Sequence, residues 1–215
     1  MKKLIAVIFS VFFLGSTYAV AEIGIGITGN FASLDTDGKE VEISGNKETN
    51  NGSHSEDILV PEVFVEFTGD SGFAFGASYI PSRELGSKTR TDADGADAAE
   101  NDDGNSTAKA ELDNLWMIYT DIPVGPVYVK LGFQHATINT LEVLNSGATY
   151  GDQDVNGFTY GVGYKNDLPI GNMYYKAEAS MTDFGTYKQS SSSGETRVEA
   201  DIEAISLRLS LGAKF

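Results

Sequence analysis

The chain has 215 residues, no cysteine and a formal net charge of −16. The missing cysteines exclude disulfides and a lipoprotein anchor. The acidic excess excludes nucleic acid as an electrostatic partner, because its phosphates would repel the chain.

Residues 1–21 have the three parts of a secretory signal peptide. Lys2 and Lys3 precede an apolar run, Leu4 to Leu14, and the segment closes on an Ala-x-Ala end. The apolar run is too short for a membrane-spanning helix. We therefore predict cleavage after Ala21 and a single mature domain, residues 22–215.

The first three predicted strands alternate between apolar and polar residues, as a strand does when only one face is apolar. Strand one is Glu22 to Phe31, strand two Ile58 to Thr68 and strand three Phe73 to Tyr79. The polar, acidic segments Leu34–Asp57 and Ser82–Ala108 are predicted as irregular loops.

Strand four, Lys109 to Ile122, has two competing apolar faces. Leu115, Met117 and Tyr119 form one, and Leu112, Trp116 and Ile118 the other. We predict that the first set faces outward. Strands five (Val127–Gln134), six (Phe158–Lys165) and seven (Met173–Thr182) alternate clearly, and residues 138–156 and 185–196 are predicted as loops.

The closing strand, Ile205 to Phe215, alternates strictly over eleven residues. Strands of about 9–11 residues cross a bilayer when tilted. Val198, Ala200 and Ile202 are out of step with Ile205, which predicts a bulge near Ala204.

The pattern is eight strands with four long connections alternating with three short turns. We predict an all-β fold, an eight-stranded antiparallel up-and-down transmembrane β-barrel in the bacterial outer membrane, with its long connections outside. The alternative, a soluble sandwich, gives no reason for the alternating loop lengths.

The leader, the alternating strands and the terminal LGAKF resemble the small outer-membrane barrel superfamily, which includes the barrel of outer membrane protein A, outer membrane protein X and the opacity-type adhesins. The resemblance implies a monomer among outer-membrane lipid and lipopolysaccharide. It also implies that the barrel-assembly machinery reads a terminal signal formed by Leu209, Leu211 and Phe215. Activities differ among such barrels, so the resemblance implies location better than function.

The inward faces carry charges that must be paired if they are buried. Depth counting predicts that Arg208 pairs with Glu62 or Glu178. We predict a salt-bridge plug, and the alternative is a narrow ion path through the same charges. The predicted interior charge network is Glu62, Glu66, Lys130, Lys165, Lys176, Glu178, Arg208 and Lys214.

Two further motifs are incomplete. His135 and Thr137 are similar in spacing to the His and Ser of lipid A deacylases, but threonine replaces serine and only Glu142, in a loop, offers a nearby carboxylate. Asp152, Asp154 and Asn156 match the first half of a calcium loop, whose twelfth position here is Gly163 instead of Glu. We predict no catalytic residue, no cofactor and, at this turn, no metal.

The predicted function is structural or surface-interacting, as in an adhesin. A narrow porin-like channel for small solutes or ions is the alternative, and an outer-membrane lipid-modifying enzyme is third. The sequence names no ligand.

Overall fold

The computed structural model describes residues 22–43, 49–92, 104–143 and 149–215. The predicted signal peptide lies outside these residues, as do residues 93–103 of the second long segment. The strands are β1 (Glu22–Glu42), β2 (Thr49–Thr68), β3 (Ala74–Ile80), β4 (Arg83–Asp92), β5 (Gly104–Val124), β6 (Val127–Thr140), β7 (Gln153–Asp167), β8 (Met173–Ser190) and β9 (Thr196–Lys214).

No helix in the described part of the chain is long and apolar enough to cross a membrane.

The strands form one closed antiparallel ring. β3 and β4 are two parts of one wall strand, because both pair with β5. β1 pairs with both β2 and β9, which closes the ring. At the closure the Phe215 N–H donates to the Ile23 carbonyl at 2.9 Å. The predicted eight-stranded barrel is confirmed.

An apolar belt surrounds the end of the barrel that carries the short turns. Its residues are the exposed apolar side chains of alternate positions, such as Ile27, Leu59, Phe158 and Leu209. The outward and inward faces predicted for strands one, two, three, five, six, seven and eight agree with the observed burial. Lipid contact explains why these side chains lie outside the protein core.

The face predicted for strand four is wrong. Leu115, Met117 and Tyr119 are buried inside the barrel, whereas Trp116 and Ile118 are exposed in the belt. The β5–β6 register shifts between Asp113 and Trp116, and Asn114 has a positive φ of 50°. This bulge changes the phase of the strand, so Leu112 and Leu115 both line the interior.

Much of the sequence predicted as loops belongs to strands. β1 and β2 stay paired as far as Val41 and Thr49, and β8 and β9 as far as Ser190 and Arg197. We call the strand portions beyond the belt the collar. It comprises residues 33–42, 49–58, 83–92, 104–114, 135–140, 153–157, 183–190 and 196–204.

The predicted bulge near Ala204 is also wrong. β9 keeps one register with β1 along its whole length, and the register shift against β8 falls on β8, between Asp183 and Thr186. Ala200 and Ala204 are buried in an apolar interior cluster, against which Ile202 packs. The apparent phase slip is therefore not a change in the strand. It marks the depth at which the inward-facing side chains of β9 change from polar or charged to apolar.

The wall of the collar is interrupted between β2 and β4. The β2–β3 ladder ends at Val63 and Tyr79, and two positions further the same register sets Pro61 opposite Pro81. Proline has no backbone N–H, so neither residue can continue the ladder. Beyond them β2 pairs with β1 and β4 with β5, and no described ladder joins β2 to β4. We call this interruption the seam.

Candidate functional site in the barrel lumen

Eight charged side chains meet inside the belt in a continuous run of ion pairs, which we call the interior ion chain. Four are cations and four are carboxylates, so their formal charges balance. All are buried except Lys165, at the end nearest the short turns. The pairs run Lys165–Glu66 (2.7 Å), Glu66–Lys176 (2.9 Å), Lys176–Asp121 (2.6 Å), Asp121–Lys130 (2.9 Å), Lys130–Glu178 (3.2 Å), Glu178–Arg208 (3.0 Å) and Arg208–Glu62 (3.3 Å).

Aromatic rings fill the space around the interior ion chain. The Tyr119 hydroxyl donates to Glu66 at 3.2 Å and the Tyr128 hydroxyl to Glu178 at 3.0 Å. Lys130 Nζ lies 3.3 Å from the centroid of the Tyr119 ring. A Cβ at Gly163 would lie 2.2 Å from the Tyr128 ring. Such inward glycines therefore give the rings their room.

The lumen at this level has almost no free volume. The space beside Lys130, Lys176 and Arg208 measures about 10 Å³. A cavity needs roughly 10–15 Å³ to hold one water. The charges are therefore in contact with one another and with rings rather than with a water column.

The structure brings together seven of the eight charges predicted for the network and separates the eighth. Lys214 lies at the rim, paired with Asp167 at 2.7 Å and Glu22 at 3.3 Å. Asp121, which sequence reasoning missed, joins Lys176 to Lys130 instead.

The three residues of the predicted assembly signal lie on the outer surface of β9 and just beyond it. Leu209, Leu211 and Phe215 are all exposed. They point toward lipid and make no contribution to the lumen. Their reading by the assembly machinery stays a prediction.

The His135–Thr137 motif does not form a hydroxyl–imidazole pair. The Thr137 hydroxyl donates to Asp154 at 2.8 Å, while His135 stacks on Trp116 with ring centroids 5.2 Å apart. His135 Nδ1 lies 2.9 Å from Asn156 Oδ1. A nucleophile needs its base within hydrogen-bond reach, and among the described residues no hydrogen bond joins the two. This geometry favours a rim contact over catalysis.

The calcium-loop residues do not converge. Asp154 and Asn156 follow one face of β7, each bonded to its β6 neighbour, and Asp152 Oδ1 accepts from the Thr140 N–H at 3.2 Å. No group of three or more acidic or histidine side chains in the described part of the chain could hold a metal ion.

Carboxylates face one another on the outside of the collar, directly above the belt. On the β1–β9 ladder Asp35 is opposite Glu203 and Asp37 is opposite Asp201. On the β8–β9 ladder Asp183 is opposite Glu203. Like charges in these positions destabilise a sheet. We call these five residues the acidic face.

Higher in the collar, one carboxylate gathers three cations. Glu199 lies 2.7 Å from Lys188, 2.9 Å from Arg197 and 3.0 Å from Lys39. Hydrogen bonds from Lys188 and Lys39 lower the pKa of the Glu199 carboxyl to about 2. This cluster ties β1, β8 and β9 together.

No protein-family model and no curated protein matches the sequence. Among solved structures, outer membrane protein OprG from Pseudomonas aeruginosa is similar at a TM-score of 0.53 and 14% identity, over 92% of this chain and 97% of OprG. The chain has the fold of a small outer-membrane β-barrel. The outer membrane protease OmpT from Escherichia coli aligns at a TM-score of 0.49 and 10% identity, over 93% of this chain and 99% of OmpT. Neisserial surface protein A aligns at a TM-score of 0.37 and 13% identity, over 87% of this chain and 97% of that protein.

The likeness to OprG establishes the architecture alone, because the identity is only 14%. Any activity of this barrel rests on its own residues.

Proposed function

We propose that the protein is a plugged barrel of the bacterial outer membrane with a structural and surface-interaction role. The observation that carries the proposal is the balanced interior ion chain, which leaves about 10 Å³ of free volume beside it. A lumen closed in this way favours the collar as the working surface over a diffusion path.

The chemistry of the collar supports lipopolysaccharide as the partner. Its acidic face lies just above the apolar belt, at the level of the lipid headgroups in an outer-membrane barrel. Divalent cations between these carboxylates and the phosphates of neighbouring lipopolysaccharide would relieve the repulsion between Asp35 and Glu203 and between Asp37 and Asp201. The proposed role is therefore to anchor the barrel within that headgroup layer through bridging cations.

Single-channel recording in planar bilayers tests the plug. Wild type is expected to be silent, whereas Lys176→Ala, which removes the bonds to Glu66 and Asp121, is expected to conduct. Lys214→Ala is the matched control, because the ion pairs of Lys214 lie at the rim, and this variant should be silent. Single-channel conductance steps in wild type as large as those of Lys176→Ala would mean that the barrel is a channel.

Magnesium titration tests the anchoring. The melting temperature of the protein in lipopolysaccharide vesicles should rise with Mg²⁺, and the double variant Asp201→Asn, Glu203→Gln should lose much of that rise. Asp70→Asn, in a short turn at the other end, should keep it. An equal Mg²⁺ response in all three proteins would refute the role of the acidic face.

A further inference from the structure

A second compartment lies in the lumen directly beyond the interior ion chain, where the belt passes into the collar. It is a cavity of about 100 Å³. Gln134 and Arg208, the last cation of the interior ion chain, border it on one side. Apolar side chains from most of the strands make up most of its walls, among them Val60, Ile80, Leu115, Val155, Phe184 and Ala204. Polar side chains such as Thr182 and Ser206 complete the lining.

The apolar lining determines what can occupy the cavity. A buried water needs two to four polar partners, and a cavity lined by apolar side chains stays dry. A dry cavity of about 150 Å³ binds benzene, and this cavity is smaller, at about 100 Å³, so a single ring is the upper limit of what it can hold. A small apolar body therefore fits this compartment better than a cluster of waters.

The lining includes a buried side-chain acceptor that has no hydrogen-bond partner. Asn30 is only 3% exposed, it lines the cavity, and its side-chain Oδ1 accepts no hydrogen bond. Leaving a buried acceptor unpaired is unfavourable, because the acceptor has lost its bonds to water without gaining a partner. By contrast, the amide of Gln134, which also lines the cavity, donates to Thr159 at 3.0 Å and Thr182 at 3.2 Å.

We propose that this cavity is a binding site for a small apolar molecule that carries one hydroxyl group. The apolar body packs against the walls, and the hydroxyl donates to Asn30. A hydroxyl both donates and accepts, so it matches a side-chain amide in either orientation. Single-ring phenols are the class with this size and polarity.

The seam gives the cavity an approach from the side. Ile58 and Val60 on β2 and Arg83 and Leu85 on β4 line the cavity, and these strands face each other without a ladder. The Arg83 guanidinium donates to the Leu59 carbonyl at 2.6 Å across the seam. Among the described residues, this side-chain bond spans the seam where the other strand pairs are sealed by rows of backbone bonds.

Methyl NMR of the barrel in lipid nanodiscs tests the proposal, with phenol and benzene as probes. Phenol should shift the methyl resonances of Val60, Ile80 and Leu115 in a saturable way. It should bind about fivefold more tightly than benzene, the effect of one neutral hydrogen bond. Asn30→Leu should abolish this preference and still bind benzene.

Two variants separate the cavity from the surrounding lipid. Ala204→Phe fills the cavity and should eliminate the saturable shifts for both probes, with Ala204→Leu as a milder filling. Ala179→Phe adds the same ring to the lipid-facing surface, where Ala179 is exposed, and should leave binding unchanged. Shifts that persist in both filled variants would overturn the site. Equal affinities of phenol and benzene for wild type would overturn the role of Asn30.

Discussion

Replacement of Arg208 by methionine should strongly destabilise the barrel, and the structure indicates which contact accounts for the cost. Glu178 would keep Lys130 at 3.2 Å and the Tyr128 hydroxyl at 3.0 Å. Glu62 has Arg208 as its only ion-pair partner in the described chain and would become a buried, uncompensated charge. Removing one member of a buried pair costs about 3–5 kcal/mol, so we expect a loss of about that size.

The assay is urea unfolding in lipid vesicles, followed by the fluorescence of the single tryptophan, Trp116. Adding Glu62→Gln to Arg208→Met should recover about 2 kcal/mol, because the stranded charge is gone. Lys214→Ala, at the rim, should cost less than about 1 kcal/mol. A double variant no more stable than Arg208→Met alone would refute the reasoning.

Three further predictions concern the two ends of the barrel. Phe215→Asp should lower the amount of folded protein in the outer membrane, measured by fractionation, because a charge replaces the exposed terminal aromatic; unchanged levels would contradict a terminal signal. In hydrogen exchange, amide protection of the β8–β9 part of the collar should persist above pH 4.5 and fall as the pH approaches 2, because Lys188 lowers the pKa of Glu199 in the folded protein. Glu199→Gln should remove this pH dependence. Identical pH profiles for the variant and wild type would contradict the prediction. A cysteine at Ser192 should react with an impermeant reagent on intact cells and one at Ser71 should not; the reverse result would invert the topology.

The faces of seven strands were predictable because lipid imposes a single requirement on every outward residue of the belt. Strand four failed for a local reason. The bulge at Asn114 puts Leu112 and Leu115 on the same side, and a sequence with two equally apolar faces does not show where such a residue is inserted.

The sequence did not predict the collar strands, because the alternation of apolar and polar residues that identifies belt strands does not hold above the membrane. In segments such as residues 33–42, both faces contain polar residues, and pairing depends on the neighbouring strands. Alternation of apolar residues therefore underestimates strand length wherever a barrel extends into water.

Asp121, the carboxylate that the predicted network lacked, could have been found from the sequence. The predicted network contained five cations, Lys214 included, and only three carboxylates, and a closed lumen does not tolerate such an excess. The search for a balancing acid leads to strand four, where reversing the assigned face brings Asp121 inward. Charge balance could thus have corrected the phase of that strand.

The interior ion chain has a consequence for how the barrel forms. Its bonds from Glu66 to Lys165 and Lys176, and from Lys176 to Asp121, join β2, β7, β8 and β5 across the lumen instead of along the sheet. A hairpin that forms early therefore carries charges such as Glu66 without their cross-lumen partners, and these charges stay hydrated until the opposite side of the barrel forms. Dehydration of the lumen and closure of the ring become a single step, so insertion of this barrel should be all-or-none. A partly assembled sheet should hold water where the folded barrel has almost no free volume.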